Sequence, residues 1–363
     1  MFSLSAIRIE NLRSLVDTGF ISLKPITVLV GKNSAGKSTF ARFIPLLKQS
    51  IQERKRAPVL WFGRLVDFGS FSEALSRNRV EDEIRFTFRL SFSVDPSSVR
   101  RRRLPRRSTL NLIGSGHIDI TLALRNGKNG TYPDRIVINA FGREYQVVIN
   151  ESNLIESFKW PSGEWKLRED IQGWAHADKL FPQILLLKKH GSESHFQEYS
   201  YFWSQLEDAV RVFVHGNTTN ATIAGIAERV PIGQPADVLA HIRNLPAPAS
   251  WSDGLRACTV SSKRFERVYD AAFLHQLPQL LEEINVSLEN EISKSSYLEP
   301  IRATAQRYYR QQELAVEEID SKGANIAMFL EGLPEYRKKA FSVWLREALG
   351  FSVSSIKDGG TYH

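Results

Sequence analysis

A single cysteine, Cys258, stands in 363 residues, which excludes an intrachain disulfide framework and fits a reducing compartment. No apolar run approaches the roughly 18 residues a bilayer span requires, so no membrane partner is expected. The N-terminal residues lack the charged-then-apolar order of an export signal, and the cytoplasm is the expected location. Internal repeats, sustained heptads and long low-complexity linkers are lacking too, which leaves any domain boundaries soft. Acidic charge is in the minority: 48 Lys and Arg against 40 Asp and Glu give a net charge of +8. That balance favours an acidic partner such as nucleic acid, but only as a bulk statement. What is present is ordinary globular material, 42% hydrophobic and 24% charged. The length suffices for two or three domains at about 100–200 residues each.

Along the chain, Ile7 and Ile9, then Phe20 and Ile21, then the run Ile26-Thr27-Val28-Leu29-Val30 read as short strands, the last apolar enough to be buried on both faces. A glycine-rich loop follows at once. Behind it Phe40, Phe43, Ile44, Leu46 and Leu47 repeat at helical spacing over Ser38 to about Lys48. From Ile84 to about Leu167 the period changes to two: Ile84, Phe86, Phe88, Leu90 and Phe92; Ile118 to Leu124; Ile136 and Ile138; Tyr145, Val147 and Ile149. Asn126-Gly127 and Phe141-Gly142 supply turn chemistry between them, so a meander of antiparallel strands is expected. After about Lys179 the pattern is mainly helical, clearest from Lys263 to Ser293, where Pro278 is expected to start a second helix. Gly332-Leu333-Pro334 divides two further helices, and Phe351-Ser352-Val353 reads as the start of a strand.

Gly31-Lys32-Asn33-Ser34-Ala35-Gly36-Lys37-Ser38 satisfies the phosphate-loop pattern G-x-x-x-x-G-K-[ST], placed between a strand and a helix as that chemistry requires. Glycines let successive N–H groups turn toward phosphates, and the helix N-terminus adds a favourable dipole. Lys37 would neutralise β- and γ-phosphates, and Ser38 would ligate Mg²⁺. ATP with Mg²⁺ is the expected cofactor, and Lys37 the candidate catalytic residue.

Arg8-Ile9-Glu10-Asn11-Leu12-Arg13-Ser14-Leu15, followed by Ile26 through Phe40 with Asn33 between the loop glycines, resembles the opening of ABC-type ATPases of the RecF, SMC and OLD kind. Val66-Asp67-Phe68-Gly69-Ser70-Phe71 is similar to a segment of their defence-associated subgroup. Tyr297-Leu298-Glu299-Pro300-Ile301-Arg302, with Arg307-Tyr308-Tyr309 and Gly323-Ala324-Asn325, is similar to the stretch before that subgroup's catalytic second half. Within it the chain looks most like the PtuA family of Septu and retron anti-phage systems. The resemblance implies that Asn33, Gly36, Lys37, Ser38 and Thr39, with Gly31, Ser34 and Ala35 of the same loop, hold the triphosphate and Mg²⁺. It also implies that Arg13 and Ser14 touch the nucleotide from the first turn; the alternative for these two is a solvated turn.

ABC-type hydrolysis further needs a Walker B aspartate ending an aliphatic strand, a glutamate that activates water, and a signature helix. Asp82-Glu83 precedes its strand, Ile184-Leu185-Leu186-Leu187 runs into Lys188-Lys189, and Gly114-Ser115-Gly116 leads into a strand. The expectation is therefore an N-terminal portion of a longer ATPase, or a chain whose missing half comes from a partner.

Six arginines, Arg100, Arg101, Arg102, Arg103, Arg106 and Arg107, lie within eight positions, broken by Leu104-Pro105. They read as a basic loop contacting nucleic acid or a partner, or else as a solvated loop. His190 and His195 lack helical metal-ligand spacing and read as surface loop. Cys258 reads as a small buried filler, and the scattered tryptophans as core or interface pieces.

The expected architecture is α/β: an ABC-ATPase head with a phosphate-loop mixed sheet, an antiparallel β layer and an inserted helical segment. Its divisions are residues 1–170 for the N-terminal lobe, 171–295 for the helical insertion and 296–363 for the return to the core, ending before signature and Walker B. By resemblance, the function is an ATPase subunit of an anti-phage complex that dimerises around ATP and controls an HNH-type nuclease, with a reverse transcriptase and its RNA–DNA product in retron versions. The rivals are an OLD-like ATPase that cuts DNA itself, and a DNA-repair ATPase of RecF or SMC kind.

Overall fold

The computed structural model describes residues 2–53, 55, 57–94, 110–166, 171–176, 178–190, 195–198, 201–299, 309–310, 319, 322–323, 325–353, 357–358 and 361–362. The arginine cluster at 100–107 lies outside them, as do residues 300–308 of the Tyr297 stretch.

The alternation in the N-terminal half builds one twisted antiparallel sheet. Its strands are β1 (Phe2–Leu12), β2 (Leu15–Asp17), β3 (Ile21–Ser22), β4 (Ile84–Ser93), β5 (Ser115–Gly127), β6 (Gly130–Ala140), β7 (Arg143–Ile149), β8 (Ile155–Trp160) and β9 (Gly163–Lys166). Spatial order is β2-β1-β4-β5-β6-β7-β8-β9, with β3 also on β1. Register places every second side chain in rows across the sheet, one of them Ile9, Phe86, Leu122, Ile136, Val147, Phe158 and Trp165. A one-residue slip would turn such a row to the opposite face, so this pattern fixes the pairing. The Phe141-Gly142 turn takes φ values of 57° and 74°, the left-handed pair a two-residue hairpin needs.

Helices cover the apolar rows. Helix α1 (Lys37–Gln52) lays Phe43 against Phe86 at 4.6 Å between ring centroids. A short α2 (Phe71–Ala74) is closed by a capping box between Ser70 and Glu73. Further along come β10 (Ile171–His176), β11 (Gln183–His190) and β12 (His195–Glu198), a separate antiparallel sheet, so the helical stretch begins at Tyr201 rather than near Lys179. His190 and His195 lie opposite each other in that sheet's register, on strands rather than a loop. Helices α3 (Tyr201–Arg211), α4 (Asn220–Ala227), α5 (Pro235–Arg243) and α6 (Ala249–Arg256) then gather a second core around Trp251, Phe265 and Tyr269, with Cys258 buried at its margin.

Helix α7 (Lys263–Ile292) serves both cores: Phe265 to Ala272 face the helical one, and Phe273 to Ile292 the sheet. It runs through Pro278 as one helix, contrary to the expected break. Proline removes one intrahelical donor and normally costs about 3 kcal/mol. Here Leu277, Leu280, Leu281 and Ile284 are each 1% exposed or less and hold the helix on both sides of it. Beyond it, α8 (Ile326–Gly332) and α9 (Glu335–Leu349) flank the Gly332-Pro334 break. Phe351–Val353 forms no strand and is exposed. Short β13 (Tyr309–Arg310), β14 (Lys357–Asp358) and β15 (Thr361–Tyr362) pair with one another.

Candidate nucleotide site

Helix α1 begins at the loop the motif identifies. Gly36 is its N-cap, at φ 93°. A Cβ there would sit 2.4 Å from Leu15 Cδ2 and 3.1 Å from Ser14 Oγ, so both backbone conformation and space select glycine. The first helical bond runs from Phe40 N–H to Gly36 carbonyl at 2.9 Å. The amides of Lys37, Ser38 and Thr39 precede it and have no intrahelical acceptor. Gly31 to Ala35 are exposed, as is Ser38, while Lys37 and Thr39 are half-buried. Within the loop, Ala35 N–H bonds to Lys32 carbonyl at 3.3 Å. Lys37 Nζ donates to the carbonyls of Gly31 and Lys32 at 2.8 and 2.7 Å. Its ammonium thus folds across the loop, and open donors surround it. This donor set fits a polyphosphate: free amides at a helix N-terminus, an ammonium in the loop mouth and a hydroxyl at Ser38.

The β1–β2 turn reaches the same place. Arg13 lies in the left-handed region at φ 50°, its amide donating to Ala74 carbonyl at 2.6 Å. Ser14 and Leu15 press on Gly36, so the two turn residues singled out by resemblance abut the loop. Arg8 pairs with Asp17 at 2.7 Å, ties the ends of the turn together and holds the Asp17 carboxyl down at about 2.

Sequence reasoning passed over a neighbouring group. Buried Gln49 of α1 bonds Leu60 carbonyl, Val66 carbonyl and Val66 N–H at 2.7, 3.1 and 3.0 Å, pinning the segment that leads to Asp67-Phe68. There the guanidinium groups of Arg13 and Arg42 both approach the Phe68 ring and both donate to Asp67 carbonyl. The available signal was spacing: Arg42 follows Ser38 by four residues and so shares its helix face.

The strand expected to precede the loop is the main departure. Residues 27–30 form no ladder, and Ile26, Val28 and Val30 are 83%, 74% and 86% exposed. Leu29 alone of this run packs against the main core. Apart from Leu29 the run is bare: nothing among the described residues covers Ile26, Val28 and Val30.

Glu83 is not available as a water-activating carboxylate. It lies ahead of β4, is fully buried, and meets Arg85, Arg125 and Arg135 at 3.2 Å each. Burial pushes its carboxyl up, against the pull of those arginines. Among the described residues no group of three or more His, Cys, Asp or Glu gathers into a metal-binding cluster. No described helix is long and apolar enough to cross a membrane.

The segment holding this loop, its helix and strands β1 to β8 has a family likeness of its own. Residues 3–161 match the AAA ATPase domain family. The match covers the phosphate loop, the β1–β2 turn, Arg42 and the Asp67-Phe68 segment, and it stops before the helical core. No curated protein and no solved structure matches the chain.

Proposed function

We propose that this chain is the nucleotide-operated head of a larger assembly, in which Gly31–Thr39 binds Mg-ATP as one part of a composite site that another lobe completes. The single observation carrying the reading is the loop at the start of α1: unsatisfied amides at Lys37, Ser38 and Thr39 beside a lysine ammonium, in a segment matching an AAA ATPase domain. Bound Mg²⁺ would supply charge compensation for phosphoryl chemistry. Ser38 is the residue here that would ligate it, and Lys37 the one that would hold the terminal phosphates.

The completing lobe is supported by the bare face of residues 26–30. Three β-branched side chains at 74–86% exposure represent on the order of 5 kcal/mol of burial not realised by the described chain. A second sheet edge laid along Val28 would recover it and would stand next to the phosphate loop. The carboxylates that activate water and complete Mg²⁺ binding would arrive on that lobe, since Glu83 is saturated by arginines. Likeness of Arg8–Leu15 and the Asn33 loop to RecF, SMC and OLD ATPases, and of Val66–Phe71 to their defence-associated subgroup, where the chain looks most like PtuA, supports a finer reading: a dimerising anti-phage subunit that restrains or licenses a nuclease.

Two measurements test these levels separately. Equilibrium Mg-ATP binding by the chain and by Lys37→Ala tests the site, with loss of affinity expected in the variant. Copurification from the native host tests the assembly: a nuclease or reverse transcriptase travelling with the chain is expected. A sliding-clamp or replication partner instead would replace the defence reading with the repair one.

A further inference from the structure

Two guanidinium groups share one small space beside the phosphate loop. The Arg13 carbon Cζ lies 4.6 Å from the centroid of the buried Phe68 ring, and the Arg42 Cζ 5.6 Å from the same centroid. Arg13 Nη2 donates to Asp67 carbonyl at 3.2 Å, and Arg42 Nη2 to the same oxygen at 3.3 Å. One ring and one carbonyl oxygen therefore serve two like charges.

Among the described residues neither guanidinium has a carboxylate at ion-pair distance, although those of Asp67 and Glu73 act on Arg13 from farther off. The nearby acids are committed elsewhere: Asp67 Oδ1 accepts Gly69 N–H at 2.7 Å, and Glu73 Oε2 accepts Ser70 N–H at 2.6 Å. Burial, and after it the charge of Arg42, lower the Arg13 pKa, so the pair is held together against repulsion and partial desolvation. A packing role on Phe68 is met by one guanidinium. Two that share one carbonyl oxygen, with no carboxylate in direct contact, describe a place for an anion.

Position identifies the anion. Arg13 is the neighbour of Ser14, whose Oγ lies against Gly36. Arg42 sits one helical turn beyond Ser38 on the same face of α1, roughly 6 Å along its axis. The pair flanks the loop on the side of the β1–β2 turn. A magnesium-bound triphosphate carries more negative charge than the single ammonium of Lys37 balances, and a planar guanidinium binds phosphate oxygens in pairs.

We infer that Arg42, acting with Arg13, is a second phosphate-binding element of the nucleotide site, taking the charge that Lys37 leaves and favouring triphosphate over nucleotides with fewer phosphates. The inference rests on the reading of Gly31–Thr39 as a nucleotide loop. Bound phosphate would draw the guanidinium groups off the Asp67 carbonyl while Phe68 keeps them stacked.

The test is equilibrium binding of Mg-ATP, Mg-ADP and inorganic tripolyphosphate to the full chain, its Lys37→Ala, Arg42→Gln, Arg42→Lys and Arg13→Gln variants, with melting temperatures recorded. Arg42→Gln is expected to weaken Mg-ATP about tenfold or more, to weaken tripolyphosphate in proportion, and to flatten the salt dependence. Its melting temperature should hold or rise as repulsion is relieved. Arg42→Lys should restore part of the affinity, and Arg13→Gln should reproduce the loss from a surface turn. Lys37-dependent binding that is indifferent to Arg42 and Arg13 would overturn this inference alone. Affinity lost only in step with a falling melting temperature would overturn it in favour of packing. Unchanged tripolyphosphate binding beside weakened ATP would overturn the phosphate assignment. No Lys37-dependent binding in any form would overturn both this inference and the site on which it rests.

Discussion

Asp270 is the residue whose removal should cost the fold most for the fewest atoms. It lies on α7, 1% exposed, and its carboxylate accepts from Arg143 Nη1 and Tyr145 OH at 3.0 Å each and from Ser162 Oγ. The three donors come from β7 and the β8–β9 turn, so one carboxylate fastens the far half of the sheet to the helix shared by both cores. Tyr145 stacks on Phe273 at 3.8 Å beside it, which fixes the phenol and leaves little room for repair. Asp270→Ala would strand the Arg143 charge, 12% exposed, and a buried phenol hydroxyl. Breaking one side of a buried ion pair costs about 3–5 kcal/mol. At roughly 2–4 °C per kcal/mol for a domain of this size, the melting temperature should fall by about 10 °C. Arg143 keeps Glu266 at 3.2 Å, which places the cost toward the lower end. Asp270→Asn keeps one acceptor oxygen for Arg143 and Tyr145 but turns the other oxygen into a donor, and should cost about 1–3 kcal/mol. The assay is thermal or denaturant unfolding of wild type, both Asp270 variants, Arg143→Ala and the double alanine variant. A coupling energy of about 2 kcal/mol is expected from the cycle. A fall under 2 °C for Asp270→Ala, or strictly additive single losses, would refute the argument.

Three other outcomes follow from burial and charge. Trp251, fully buried with Nε1 donating to Ile242 carbonyl at 2.8 Å, should cost about 3–5 kcal/mol as Trp251→Ala in the same unfolding assay, with the loss centred on the helical core. Asp17 should titrate at about 2 by NMR and return toward its usual value of 3.8 in Arg8→Gln, because the Arg8 hydrogen bond is the largest cause. Its folded-state pKa is depressed, so its stabilising contribution is present above about 3.8 and lost as pH falls through about 2. Val28→Lys at 74% exposure should change stability by less than about 0.5 kcal/mol, and a loss above about 1.5 would show that Val28 is already packed.

The period-two meander was legible because each strand from Ile84 to Ile149 has one buried and one polar face, and alternation records that directly. The phosphate loop was legible because its geometry demands particular residue types at Gly36 and Lys37. Pro278 misled because burial on both sides of α7 outweighed a local helix penalty. Ile171–Glu198 was misplaced among helices because short strands bearing His and Lys lack the long alternation that marks the larger sheet. The apolar run Ile26–Val30 reads as a strand buried on both faces, yet it forms no ladder and stays exposed, since pairing depends on what lies alongside. Arg42 carries no motif, and only the fold brings it to Phe68 beside Arg13.

The central claim is that Gly31–Thr39 binds Mg-ATP through Lys37, and calorimetric titration of the chain against Mg-ATP tests it most directly. One saturable site is expected in the wild type, with affinity reduced at least tenfold in Lys37→Ala at an unchanged melting temperature. The absence of a saturable site, or equal affinity in the two proteins, would contradict it.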